Sequence, residues 1–182
     1  MTTTAIDPAI TSLLVIALAA IFAWSAATKL ADVEMFAGAV ATYRLIPRAL
    51  EKVLAWSVPL CEGACAVGLF FSATRARAAV GLVLLLCVFT GAIAINLLRG
   101  RTHIDCGCFG AALRQELSAW LLARNGVLIL LAALVAAPAG TRAMERMDYV
   151  TTGVGAATMV MLYASANYAL ANAPRTRALE AL

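Results

Sequence analysis

The chain is 182 residues long, 63% hydrophobic and 13% charged, with a mean hydropathy of +0.90. Soluble domains average about 45–50% apolar and about 25% charged residues, which sets aside a water-soluble enzyme, a disordered chain and a nucleic-acid binder. The formal net charge of +4 is modest and fits the basic loops of a membrane protein better than an anionic partner.

A bilayer core takes about 20 apolar residues per helix. The first such run is 9–28, preceded by Asp7 and no Lys or Arg, and too long for the apolar part of a cleaved signal peptide. In the mixed stretch 29–52, Val33, Phe36, Val40 and Tyr43 recur at helical spacing. That pattern predicts an amphipathic helix over 32–43, lying in the interface and ended before Pro47. Further apolar runs follow at 53–72, 78–98 and 119–137, and a less apolar one at 149–171. The chain therefore reads as a single membrane domain over 1–182. Its predicted class is an all-α integral membrane protein, a bundle of four to five transmembrane helices.

Counting crossings puts the loops 29–52 and 99–118 and the C-terminus on one side. Lys29, Arg44, Arg48, Lys52, Arg99, Arg101, Arg114, Arg175 and Arg177 lie there, against Arg75, Arg77, Arg142 and Arg146 opposite. The positive-inside rule would put that first side in the cytoplasm.

The densest polar chemistry is the loop 99–118, and within it Asp105-Cys106-Gly107-Cys108-Phe109-Gly110. Two cysteines one residue apart can close a small strained disulfide ring, and strain makes a disulfide easier to reduce. Gly107 places no side chain in the way of that ring. His103, Arg99, Arg101 and Arg114 favour a nearby thiolate. Asp105 opposes it unless it orients His103 or accepts a proton. Cys106 and Cys108 are thus the candidate redox pair, with His103 and Asp105 tuning them. A permanent loop-closing disulfide and a pair of inert thiols stand beside this reading. A zinc site built from the same four residues is disfavoured, because ligands so close in sequence cannot easily surround a tetrahedral ion.

Cys61 and Cys65 form a second pair, spaced i and i+4 on one helix face. A loop disulfide could exchange with an intramembrane thiol that passes electrons to a membrane quinone. Membrane helices also carry cysteine as a small apolar filler, and Cys87 reads that way. Glu62 is the less ordinary residue, since a carboxylate in a membrane helix faces the bundle interior or a polar cavity. Asn96, Arg124 and Asn125 lie in the same half of the membrane and complete a candidate polar pocket, with Arg124 as a partner for Glu62. Lys29 and the tryptophans Trp24, Trp56 and Trp120 read as interfacial anchors.

Taken together, the chain resembles the MauE family of membrane proteins, related to DoxX-like helical bundles. The resemblance covers about residues 10–135. It is carried by Lys29-Leu30, Phe36, Tyr43-Arg44-Leu45-Ile46-Pro47, Pro59, Glu62 and Arg124-Asn125, and above all by Ile104-Asp105-Cys106-Gly107-Cys108-Phe109-Gly110. It implies a role in maturing the disulfide-rich small (β) subunit of periplasmic methylamine dehydrogenase. It also implies a thioredoxin-like partner, MauD, in the bacterial inner membrane system. Cys61 and Cys65 are not part of that resemblance. The implied substrate would place the cysteine loop in the periplasm, against the charge count.

Three functions compete at this point. One is a membrane thiol–disulfide oxidoreductase. Another is a non-catalytic anchor or assembly factor with a structural loop disulfide. The third is an export or transport component, which no inverted repeat supports.

Overall fold

The computed structural model of the chain describes residues 6–102, Ile104, Cys106 and 115–180, with side chains as far as residue 172. Six helices follow one another: α1 (Pro8–Ala31), α2 (Val33–Tyr43), α3 (Arg48–Gly68), α4 (Ser72–Leu98), α5 (Ala119–Ala136) and α6 (Arg146–Glu180). An isolated bridge between extended segments joins Ile6 to Ala139. The protein is an all-α membrane bundle.

Local chemistry explains where the helices start and stop. The Asp7 carboxylate accepts the Ala9 amide at 2.8 Å, and Pro8 at the first helical position gives up no needed donor. One residue, Asp32, separates α1 from α2, and its carboxylate accepts the Met35 amide at 2.9 Å. Arg44 ends α2 in the left-handed conformation, with φ 50°. Pro47 then sets the entry to α3.

The apolar run over 53–72 does not coincide with its helix. The helix takes in the polar turn Arg48–Lys52 and stops at Gly68. Phe70 and Phe71 lie in the turn that follows. There the Thr74 hydroxyl donates to the Gly68 carbonyl at 2.8 Å and Arg75 Nε to the Leu69 carbonyl at 3.2 Å. These bonds satisfy carbonyls that a helix end leaves without intrahelical donors. Among the described residues, four helices are long and apolar enough to cross a membrane: α1, α4, α5 and residues Arg146–Asn172 of α6. The 21 residues of α3 would extend about 31 Å, but Arg48, Glu51, Lys52 and Glu62 lower its hydropathy. It packs against α1, α2 and α4 all the same.

α1 is the hub, packing on α2, α3, α5 and α6, while α4 pairs most closely with α5. The core between them is aliphatic, with Leu18, Ala79, Leu82 and Ala132 fully buried. The outer face carries exposed Leu84, Val88, Leu130 and Leu162. Such a face suits lipid, which gives an apolar surface no reason to be covered.

The bundle has two distinct ends. At one, Ile6 pairs with the 138–140 segment through bonds of 3.1 Å and 2.8 Å. Arg142 reaches both Asp7 and Asp148 there. At the other, Tyr43 at the end of α2 meets Cys106, Ile93 of α4 and Leu121 of α5.

Candidate functional site

Cys106 is disulfide-bonded and 3% exposed. Its amide donates to the Gln115 carbonyl at 2.8 Å, and its carbonyl accepts the Tyr43 hydroxyl at 3.3 Å. The Leu117 amide spans back to the carbonyls of Thr102 and Ile104, both at 3.1 Å. Tyr43, Ile93, Cys106, Leu117 and Leu121 form a small apolar cluster of their own. The cysteine is therefore held from α2 on one side and from the approach to α5 on the other. Cys108, His103 and Asp105 lie outside the described residues.

Asn96 does structural work for this loop. It is fully buried at the end of α4, with Nδ2 donating to the Ala92 carbonyl at 3.0 Å. Its Oδ1 accepts Arg101 Nη1 at 3.3 Å, and the same guanidinium nitrogen reaches the Tyr43 carbonyl at 3.4 Å. Arg101 thus ties the exit of α4 to the end of α2.

Glu62 is buried, but its partner is Lys29 and not Arg124. Lys29 is no interfacial anchor: it is 2% exposed and forms a salt bridge with Glu62. Its ammonium also donates to Ser25 Oγ at 3.0 Å, and Ser25 donates to Glu62 Oε2 at 3.2 Å. The rings of Phe36 and Phe89 lie 5.3 Å and 5.1 Å from the ammonium. Two aromatic faces and a carboxylate replace the water that a lysine requires. The reason Lys29 turns inward is α2. It begins only two residues after α1 ends and packs Phe36 over the lysine.

Glu62, Arg124 and Asn125 do line one small cavity with Lys29, and Asn96 does not, but the hydrogen bonds of Arg124 run elsewhere. Its Nη1 donates to Asn167 Oδ1 at 2.7 Å and to Gln115 Oε1 at 3.4 Å, and its Nη2 to Asn125 Oδ1 at 3.3 Å. Asn125 continues to Thr90 at 3.2 Å, and Gln115 Nε2 donates to the Asn167 carbonyl at 2.9 Å. The guanidinium lies 5.9 Å from the Tyr163 ring. This network joins α4, α5 and α6, and through Gln115 it reaches the residue that holds the Cys106 amide.

The two cysteines of α3 have different surroundings. Cys65 packs against the core beside Gly81, where an added Cβ would meet its Sγ at 2.8 Å. Cys61 is exposed and lines an apolar cavity of about 600 Å3 between α2, α3 and α4. Cys87 and Cys106 line the same cavity. Sequence spacing pairs Cys61 with Cys65, while the fold groups Cys61 with Cys87 and Cys106. Only the register of α3 against α4 reveals that grouping. Trp24, Trp56 and Trp120 are exposed on the outer face.

Fold and site together define a multi-pass helical membrane protein with a buried half-cystine at one end of its bundle. The family model described as methylamine utilisation protein MauE matches residues 7–138, and the chain belongs to this family. It is 41% identical to the methylamine utilization protein MauE of Paracoccus denitrificans, over 89% of this chain and 88% of that protein. Identity to the protein of the same name from Paracoccus versutus is 40%, over 82% and 81% of the two chains. For that of Methylorubrum extorquens it is 36%, over 86% of each. No solved structure matches the chain.

Proposed function

We propose that the chain serves methylamine utilisation as a membrane thiol–disulfide oxidoreductase. Cys106 and Cys108 are its redox pair, and the small subunit of methylamine dehydrogenase is the final substrate. A thioredoxin-like protein of the MauD type is the immediate partner, and the cysteine loop faces the periplasm of a bacterial inner membrane. The carrying observation is that Cys106 is disulfide-bonded while Cys61, Cys65 and Cys87 are free thiols. A disulfide persists in an oxidising compartment and not in the cytosol. The loop charges weigh less against this than their number suggests, because Lys29, one of the four in the segment 29–52, is buried against Glu62 and is not a loop charge.

In the exchange, a partner thiolate attacks one sulfur of the pair and the other leaves as a thiolate. The partner's second thiol then resolves the mixed disulfide. The partner's dithiol loses two electrons and two protons, and the Cys106–Cys108 pair gains them. Burial of Cys106 disfavours it as the sulfur first attacked, which assigns attack to Cys108 and departure to Cys106. His103 and Asp105 sit in sequence where they can manage the proton.

The assignment predicts an asymmetry. With a partner lacking its resolving cysteine, the oxidised unaltered chain traps a mixed disulfide through Cys108 and leaves Cys106 free for alkylation, whereas the single variants Cys106→Ser and Cys108→Ser hold no Cys106–Cys108 disulfide to attack. Both variants lose dehydrogenase maturation while the membrane protein accumulates normally. Full maturation with either single variant would refute the redox role.

The double anchoring of Cys106 by Gln115 and Tyr43 also suits a second reading, a non-catalytic assembly factor whose disulfide only closes the loop. In that case the cysteines stay oxidised throughout maturation, which trapping of thiols in growing cells decides.

A further inference from the structure

The cavity that Cys106 lines is a second site of interest. It has a volume of about 600 Å3, within the range of roughly 300–1,000 Å3 of small-molecule pockets. Among the described residues its walls are apolar apart from Tyr43, Ser57 and the cysteines, and it lies on the outer side of the bundle between α2, α3 and α4. Phe36 and Phe89, two of its aromatic walls, are backed by the Lys29 ammonium, which also pairs with Glu62. The wall is therefore built on a buried ion pair. It is more than a gap between lipid-facing side chains.

We propose that this cavity binds the head group of a membrane quinone, which reoxidises the Cys106–Cys108 dithiol. This deepens the redox reading above and rests on it. An acyl chain would fill the same space, but it has no use for a sulfur in the wall. A redox cysteine that lines a lipid-facing pocket, as Cys106 does, calls for an electron acceptor that dissolves in lipid, and a quinone is one. The step balances: two thiols become one disulfide, and their two electrons and two protons convert the quinone's two carbonyls to hydroxyls. Tyr43 and Ser57 are the hydroxyl groups available to the head group. The Tyr43 hydroxyl already touches the Cys106 carbonyl at 3.3 Å.

Gly91 gives a way to test this. It lines the cavity, and a Cβ added there meets nothing within 4 Å, so a side chain can begin at this point of the wall without an immediate clash. Gly126 is equally open but lies on α5 and does not line the cavity.

The experiment uses the full chain in lipid nanodiscs, with the Cys106–Cys108 pair reduced and a short-chain benzoquinone added. Quinol formation and thiol loss are followed together. One quinol should appear per disulfide formed. Gly91→Phe should slow the reaction by at least about tenfold while Gly126→Phe stays within about twofold. Both variants should react equally with a small water-soluble disulfide. Bound quinone should also protect Cys61, and not Cys65, from a lipophilic maleimide. Equal rates for the two phenylalanine variants, or no protection of Cys61, would overturn the site.

Should Gly91→Phe fail to fold, an azidoquinone on the unaltered chain decides. Adducts on α2–α4 around the cavity support the proposal, and adducts elsewhere, or none in competition with phospholipid, overturn it. The two proposals fail separately. If quinone protects Cys61 in a Cys106→Ser/Cys108→Ser chain that still matures the dehydrogenase, the site stands and the maturation role falls. If maturation needs both cysteines but no quinone binds, the reverse holds.

Discussion

The two ends of the bundle are held in opposite ways. At the Asp7 end, the contacts are an isolated bridge and exposed ion pairs, with Arg142 shared between Asp7 and Asp148. At the Cys106 end, the polar groups are buried or half-buried: Lys29 with Glu62, half-buried Arg124 with buried Asn167, and Cys106 between Gln115 and Tyr43. Exposed pairs are screened and worth little, whereas a buried group is costly to leave without its partner. The first end only needs to stay shut. The second holds a fixed arrangement around a sulfur, and polar groups that would be expensive in lipid are kept there.

The largest expected effect separates these two kinds of pair. Glu62→Gln leaves Lys29 charged among Phe36, Phe89 and Ser25, and should cost about 3–5 kcal/mol of stability, as breaking a buried pair does. Lys29→Met should cost about the same. The double variant Lys29→Met/Glu62→Leu should recover most of the loss, because neither charge remains to be compensated. Thermal unfolding in a fixed detergent measures all three. If the single variants are as stable as the parent, the pair is not what closes the centre of the bundle.

A smaller effect is expected where the sulfur is held. Tyr43→Phe keeps the ring in its apolar cluster and removes the hydroxyl that donates to the Cys106 carbonyl. Loss of one such buried bond should cost about 1 kcal/mol. It should speed alkylation of reduced Cys106 about fivefold. An unchanged alkylation rate would show that the Tyr43 hydroxyl does not help to fix the cysteine.

The contrast between the ends also explains what could be read from one dimension. Membrane helices announce themselves by hydropathy, and α2 by the spacing of Phe36, Val40 and Tyr43. That Glu62 must be buried was legible, because its position in an apolar run leaves no alternative. Its partner was not. Arg124 lies at a suitable depth, but Lys29 is brought in by the short connection to α2, and a hydropathy profile carries no such tertiary information. The residues that carried the family resemblance did contain the answer in scattered form: Lys29, Phe36, Tyr43, Glu62 and Cys106 are buried at this end, and Arg124 is half-buried beside them. Cys61 and Cys65 show the limit of spacing arguments. Residues four apart on a helix differ in direction by about 40°, enough to put one thiol in a cavity and the other against Gly81.

The smallest effect is expected at the exposed end. The hydrogen bond from Arg142, followed by that from the Ala9 amide, holds the Asp7 carboxyl below its ordinary value of 3.8. A carboxylate with a depressed pKa contributes its stability fully above the ordinary value and loses it as pH falls through the lowered one. The clasp between Asp7 and Arg142 should therefore be complete at neutral pH and open only in acid below 3.8. Hydrogen exchange of segments 6–11 and 138–148, corrected for intrinsic rates, would report it. Protection in these segments should fall in acid for the parent chain. Arg142→Gln should show the weaker protection at every pH, with the Cys106 end unaffected in both. Because both carboxylates bonded to Arg142 are accessible to solvent, roughly 1 M salt, with a screening length of about 3 Å, should mimic part of the substitution. If acid instead loosens the Cys106 end first, the buried groups there are the more easily titrated, and the division of labour between the two ends is reversed.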